Sequence, residues 1–250
     1  MTVTKDDLLY GALTLRQPAE GPRVNVDTIL LSAYVRDTFP RTGGRILELG
    51  CASGAVSLIL ALRFPDAALT GLEIQEDLAA LAEENAALNG LSGRISVVRG
   101  DLRNSGTLFP PQSFDCVAMN PPYGEPGRGR PSASRADRAA RQGIWCSPGD
   151  VASAARYLLK HRGRMYVVFR AGRTAELLAS LSERDVEPKR IRFVHPLPGR
   201  KASVVLVEAL RGGKPGMTVE PPLFIEDGSG NYTEELLSAY TKEGLPCRSQ

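Results

Sequence analysis

The four residues Asn120-Pro121-Pro122-Tyr123 carry the most specific chemistry in the chain. They follow the apolar run 114–119, and two prolines cannot continue a strand, so the chain leaves the sheet rigidly at this point. The amide oxygen of Asn120 and the main-chain carbonyl of Pro121 offer two hydrogen-bond acceptors, with carbonyl directions fixed in advance by the prolines. An exocyclic amino group held between them donates both protons, which draws its nitrogen from planar toward tetrahedral geometry and frees the lone pair for attack. Tyr123 can stack on a flipped base, an interaction worth about 1–3 kcal/mol. The amine loses its proton after attack, so no general base is needed, and only two histidines, His161 and His195, are present. A carbon-directed mechanism would need a Pro-Cys nucleophile at this turn, and the sole Pro-Cys is Pro246-Cys247 in the tail.

A second constellation lies upstream. Ile46-Leu47-Glu48-Leu49-Gly50-Cys51-Ala52-Ser53-Gly54 reads as a strand, a small-residue turn and a helix start. It does not match G-x-G-x-x-G, and Glu48 beside the helix N-terminus would repel a pyrophosphate but welcome a cation. Glu73 ends the next strand, at about the 20-residue spacing where an acid grips a ribose diol. Asp101, in Gly100-Asp101-Leu102, can accept from an adenine amine, and Ile74 and Leu102 can sandwich the ring. Any one acid here is unremarkable as a strand-end cap. Three acids and a glycine turn in this order on successive strands describe a crevice for a cationic, phosphate-free nucleoside, which S-adenosyl-L-methionine fits.

These residues need a sheet whose strands end on one edge. Over 45–209 the pattern alternates strands (45–49, 68–74, 94–99, 114–120, 164–169, 190–195, 202–209) with helices (54–63, 76–89, 148–162, 174–183), which predicts an α/β, Rossmann-like, doubly wound, mostly parallel seven-stranded sheet. Ahead of it, Val26, Ile29, Leu30, Ala33 and Tyr34 mark one helix face capped by Asn25, an N-terminal helical extension. We read 1–250 as one catalytic domain, with 1–44 an N-terminal extension, 45–210 the core and 211–250 a C-terminal tail. The chain has 250 residues, 31 Lys plus Arg against 28 Asp plus Glu, and 4 cysteines without C-x-x-C spacing. That composition argues against a polycation, a zinc site and a disulfide scaffold. Neither a membrane span nor a secretory leader is evident, so a cytoplasmic protein is expected.

The glycine turn, Glu73, Asp101 and N-P-P-Y together resemble a class I S-adenosylmethionine-dependent methyltransferase acting on an amino nitrogen. Gln17-Pro18, Gly21 and Val26-Asp27-Thr28-Ile29-Leu30-Leu31 are similar to the N-terminal segment of the bacterial tRNA (adenine-N6) methyltransferase family, which modifies the adenine beside the anticodon of a valine tRNA. Glu187–Pro196, Arg211–Gly216, Pro221-Pro222-Leu223 and Tyr232-Thr233-Glu234-Glu235 carry the same likeness. The resemblance implies that Glu48, Gly50 and Gly54 hold the methionine part, Glu73 the ribose, and Asp101 the adenine. Asn120, Pro121 and Tyr123 would present the base, and Asp27 matches an acid of the N-terminal segment. Two departures stand out. Ala52 occupies a usual glycine position, where its methyl would crowd the methionine carboxylate, and Ala140-Arg141-Gln142-Gly143 replaces the usual Ala-Arg-His-Glu.

After the tetrapeptide, residues 124–142 hold Arg128, Arg130, Arg135, Arg138 and Arg141 against Glu125 and Asp137, a net charge equal to the +3 of the whole chain. A polyanion contact follows, with tRNA the expected partner and no membrane or metal. Lys189, Arg190, Arg192, Arg200 and Lys201 form a second basic group that could extend the same face. The alternatives are a protein glutamine-N5 methyltransferase, an rRNA guanine-N2 methyltransferase, and a cofactor-binding RNA-binding protein without turnover.

Overall fold

The computed structural model describes residues 1–35, 43–121 and 146–245. Tyr123, Arg128, Arg130, Arg135, Arg138, Arg141 and Cys247 lie outside the described residues. The chain opens with strands β1 (Val3–Leu8) and β2 (Leu13–Pro18), paired antiparallel from Val3↔Pro18 to Leu8↔Leu13. This hairpin was not expected: the N-terminal extension is a hairpin followed by one helix, not a helix alone. Helix α1 (Val26–Tyr34) starts at Asn25, whose side chain accepts from the Thr28 amide.

The core then alternates: β3 (Arg45–Leu49), α2 (Ala55–Arg63), β4 (Ala68–Glu73), α3 (Glu76–Leu88), β5 (Ile95–Arg99), a short α4 (Ser105–Leu108) and β6 (Phe114–Met119). There follow α5 (Pro148–Leu158), β7 (Leu159–Arg170), α6 (Thr174–Ser182), β8 (Val186–His195) and β9 (Val204–Arg211). Two-residue strands β10 (Thr218–Val219) and β11 (Leu223–Phe224) and helix α7 (Glu234–Ala239) complete the described chain. The sheet order is β10-β8-β9-β7-β6-β3-β4-β5, with β11 also on β8. Strand β9 runs antiparallel to β7 and β8, and the remaining pairings are parallel. The expected seven strands form the body of this sheet, and the tail adds the two short ones.

Helix α5 stops at Leu158, four residues before the expected end. The reason is tertiary: β6 pairs with Leu159 and again with Arg164, so the intervening residues become a bulged strand start. Strand β8 begins earlier than expected, and a register shift between Pro188 and Arg190 accommodates the proline. The hairpin, α1 and α2 pack a buried cluster on one side of the sheet that includes Leu15, Leu30 and Ile59, while α5 and α6 pack Leu158, Leu177 and Leu181 on the other. Burial on both faces explains why the central strands read as continuous apolar runs. Among the described residues no helix is long and apolar enough to cross a membrane.

Candidate active site

Strand β3 pairs with β4 on one side and β6 on the other. The chain winds outward from it in both directions, so the carboxyl ends of β3 and β6 form the topological switch point, the place where such sheets hold ligands. A cleft of about 740 Å³, open to solvent, lies there. Its lining includes Gly50 after β3, Glu73 and Ile74 at the end of β4, Asp101 and Leu102 after β5, and Asn120 after β6. Six residues singled out in the sequence therefore converge on one cavity.

Glu73 is 4% exposed. Its Oε2 accepts from the Ala52 amide at 2.9 Å and its Oε1 from the Gln75 amide at 2.9 Å. The carboxylate thus fixes both the glycine turn and the start of α3. Ala52 adopts φ +46°, a left-handed conformation that disfavours a side chain, and it lines the cleft. Gly50, at φ +70°, has no protein atom within 4 Å of where a Cβ would stand, so the backbone there faces open cleft.

Asp101 accepts from the Arg103 amide at 2.9 Å and from its guanidinium, which holds the carboxyl below the usual carboxylate range. Arg103 also lines the cleft, as do Pro22, Gln75 and Cys146. None of these four was assigned to the site from the sequence: Gln75 and Arg103 directly follow Glu73-Ile74 and Asp101-Leu102, while Pro22 and Cys146 come from segments far from those motifs in the chain.

Glu48 and Gly54 are not among the cleft-lining residues, and the expectation that Glu48 faces a ligand cation is corrected. The Glu48 side chain is 4% exposed and accepts from the amide of Ser57 at 2.8 Å and from its hydroxyl at 2.6 Å. Helix α2 has a glycine N-cap with no side chain, and Glu48 satisfies the first-turn N–H that such a cap leaves open. Burial pushes its carboxyl up to about 8, with Glu73 adding to the effect. Gly54, at φ +84°, would place a Cβ 3.2 Å from that of Ala82 on α3, so it serves close helix packing. Asp27 sits in the first turn of α1 and does not line the cleft.

Asn120 is half-buried, and its Nδ2 donates to the Thr28 hydroxyl at 3.4 Å. Thr28 in turn donates to Asn25 Oδ1 at 3.3 Å. The first turn of α1 therefore orients the Asn120 amide, and Pro121 is buried beside it. Thr28 belonged to the segment resemblance, but its contact across 92 residues was invisible in one dimension.

The second basic group divides. Arg190 is buried, pairs with Glu208 and Glu220, and stacks on the Tyr34 ring at 4.0 Å. Arg192 is buried and pairs with Glu235 at 2.8 Å. Lys189 donates to the carbonyls of Lys214 and Gly216. Only Arg200 and Lys201 are left exposed without such engagements.

The cleft suits the group expected for it. Among the described residues, apolar Leu72, Ile74 and Leu102 flank two carboxylates, and the lining arginine, Arg103, is paired with Asp101. Among the described residues, that lining fits an uncharged nucleoside joined to a cationic amino acid better than a phosphate.

Comparison with known proteins agrees. The model for a methyltransferase domain matches residues 46–126. A tRNA1(Val) (adenine(37)-N6)-methyltransferase of Porphyromonas gingivalis is 28% identical over 194 residues, covering 74% of this chain and 73% of the relative. The protein of the same name from Tolumonas auensis is 29% identical over 217 residues, covering 86% and 87%. Among solved structures, a predicted O-methyltransferase, protein Atu636 from Agrobacterium tumefaciens, superposes with a TM-score of 0.72 at 25% identity, covering 90% of this chain and 100% of that one. Taken with the cleft at the switch point, these findings make the chain a class I S-adenosyl-L-methionine-dependent methyltransferase related to the tRNA1(Val) (adenine(37)-N6)-methyltransferases.

Proposed function

We propose that the protein methylates the exocyclic amino nitrogen of an adenine in tRNA, and that the residues assembled at the cleft divide the work as follows. The backbone at Gly50 and Ala52 lines the methionine end. Glu73 takes the ribose hydroxyls, Asp101 accepts from the adenine amine, and Ile74 and Leu102 close on the ring. When bound, S-adenosyl-L-methionine supplies an electrophilic sulfonium methyl.

The observation that carries this reading is Asn120-Pro121 opening from β6 onto a carboxylate-lined cleft. The Asn120 oxygen and the Pro121 carbonyl accept the two amino protons of the substrate base, and its lone pair is left directed at the cleft. Thr28 engages the amide nitrogen of Asn120, which leaves the oxygen for the substrate. Tyr123 stacks on the base, and Arg128, Arg130, Arg135, Arg138 and Arg141 contact RNA phosphates. Names of the relatives support adenine in tRNA as the substrate.

The test is incubation with S-adenosyl-L-methionine and transcribed tRNA, followed by digestion and mass spectrometry of the nucleosides. N6-methyladenosine is the expected product. Methylated guanine alone, or methylation confined to a protein glutamine, would overturn the reading.

A further inference from the structure

We propose that Gln17 is a positioning residue for methyl transfer: it fixes the loop 19–25 between the hairpin and α1, and through that loop both the cleft wall at Pro22 and the Asn120 amide. This rests on the reading of the cleft and of Asn120 given above. The Gln17 side chain, on β2, is 4% exposed. Its Oε1 accepts from the Val24 amide at 2.9 Å, and its Nε2 donates to Asp6 Oδ2 on β1 at 2.9 Å. One buried amide thus holds the hairpin with its nitrogen and the loop with its oxygen.

Arg23 fastens the same loop from outside. Its Nη1 donates to the Pro18 carbonyl at 2.8 Å and to the Thr4 hydroxyl at 2.9 Å, and its Nη2 donates to Asp6 Oδ2 at 3.2 Å. The loop leaves β2 after Pro18 and is tied back to Pro18 by Arg23 and to Gln17 by Val24. Pro22, just ahead of these ties, lines the cleft together with Gly50 and Ala52. A short loop closed on itself has few alternative conformations, so Pro22 is in place before a ligand arrives.

Gln17 also stands on a line between the two halves of the site. On one side, Asn85 donates to the Ser53 carbonyl in the glycine turn and to the carbonyl of Arg16, the residue before Gln17. On the other, Val24 leads into Asn25, which caps α1 and accepts from the Thr28 hydroxyl, and Asn120 donates to that hydroxyl. Gln17 is therefore the joint between the glycine turn and the corner that takes the amino group. Methyl and nitrogen meet only when these two are aligned, and a misplacement of about 1 Å costs up to about 100-fold in rate. An apolar side chain of the same size at this position leaves the Val24 N–H without its acceptor and frees the loop.

The experiment uses the full chain carrying Gln17→Met, Thr28→Val, both together, and separately Arg23→Met. Single-turnover methylation at saturating tRNA and S-adenosyl-L-methionine gives the rate, calorimetry gives the affinity for S-adenosyl-L-homocysteine, and a melt checks folding at the assay temperature. For Gln17→Met we expect the rate to fall about tenfold and the Kd for S-adenosyl-L-homocysteine to rise about fivefold. The double variant should be no more than about twofold slower than the slower single one, because both residues act along one line. Arg23→Met, at an exposed position, should raise the same Kd about threefold, and it decides the matter where Gln17→Met does not fold. A folded Gln17→Met with the wild-type rate or the wild-type affinity, its loss confined to Tm, overturns the inference. So does a double variant whose losses multiply, or an unfolded Gln17→Met beside an Arg23→Met of unchanged affinity. A wild type that binds S-adenosyl-L-homocysteine but methylates no tRNA overturns the substrate reading alone, and the affinities of the variants then decide the role of Gln17.

Discussion

The amide of Ala52 donates to Glu73 at 2.9 Å, while the other oxygen of the same carboxylate accepts from the Gln75 amide. One buried side chain thus ties the turn after β3 to the start of α3, in addition to its proposed role with the ribose. Glu73→Ala removes every acceptor at once, and Glu73→Gln keeps one. Hydrogen bonds to a charged group contribute about 1.5–3 kcal/mol. We expect S-adenosyl-L-homocysteine affinity to fall about 100-fold for Ala and about tenfold for Gln. Calorimetric titration checks it, and equal losses for the two variants would show that the acceptors are not what matters.

Glu48 makes stability depend on pH. Burial raises its carboxyl from the ordinary 4.5 to about 8 in the folded chain. Between these values the unfolded chain has released a proton that the folded chain keeps, so stability falls as pH rises, by at most about 1.4 kcal/mol per pH unit. The contribution is complete below 4.5 and gone above about 8. Glu48→Gln keeps the acceptor toward Ser57 and cannot ionise. Thermal melts at pH 5, 6.5 and 8 should show the variant gaining on the wild type as pH rises. A constant difference contradicts the assignment.

The side chain of Asn85 on α3 is fully buried and makes three hydrogen bonds: Nδ2 donates to the carbonyls of Arg16 at 2.7 Å and Ser53 at 2.9 Å, and Oδ1 accepts from the Arg16 amide at 2.8 Å. One turn on, Asn89 accepts from the Thr14 amide and donates to its carbonyl. Two amides on a helix thereby stand in for a neighbouring strand and dock β2 beside the glycine turn. Asn85→Ala leaves buried groups unpaired and should cost about 2–3 kcal/mol, lowering Tm by about 5–10 °C. Limited proteolysis should then cut within residues 1–18 before the rest. An unchanged melt and cleavage pattern would refute the docking role.

These contacts mark where one-dimensional reading stops. The core strands and the acids at their ends were legible because burial on both sheet faces writes unbroken apolar runs. The hairpin was not, since Lys5-Asp6-Asp7 hides the strand pattern and its partners, Asn85 and Asn89, lie about 70 residues away. The type of Glu48 was visible but not its direction, which the open first turn of α2 decides. Arg190 and Arg192 looked like a surface group until Glu208, Glu220 and Glu235 were folded against them.

Thr28 acts through Asn120, as a positioning residue. Thr28→Val removes the hydroxyl that engages the Asn120 amide nitrogen at 3.4 Å. The loss should lower kcat about 3–10-fold, the value of one ordinary hydrogen bond, without weakening cofactor binding. Thr28→Ser should restore the rate. A variant that raises KM for tRNA and leaves kcat intact would place Thr28 elsewhere in the mechanism.

The central claim is that the Asn120-Pro121 corner grips the amino nitrogen while the carboxylate-lined cleft holds the methyl donor. Single-turnover methylation of tRNA by Asn120→Ala, measured beside its affinity for S-adenosyl-L-homocysteine, tests it most directly. We expect transfer to drop at least 100-fold, as when a preorganised transition-state contact is removed, with product affinity within about twofold of wild type. Transfer at the wild-type rate would contradict the account.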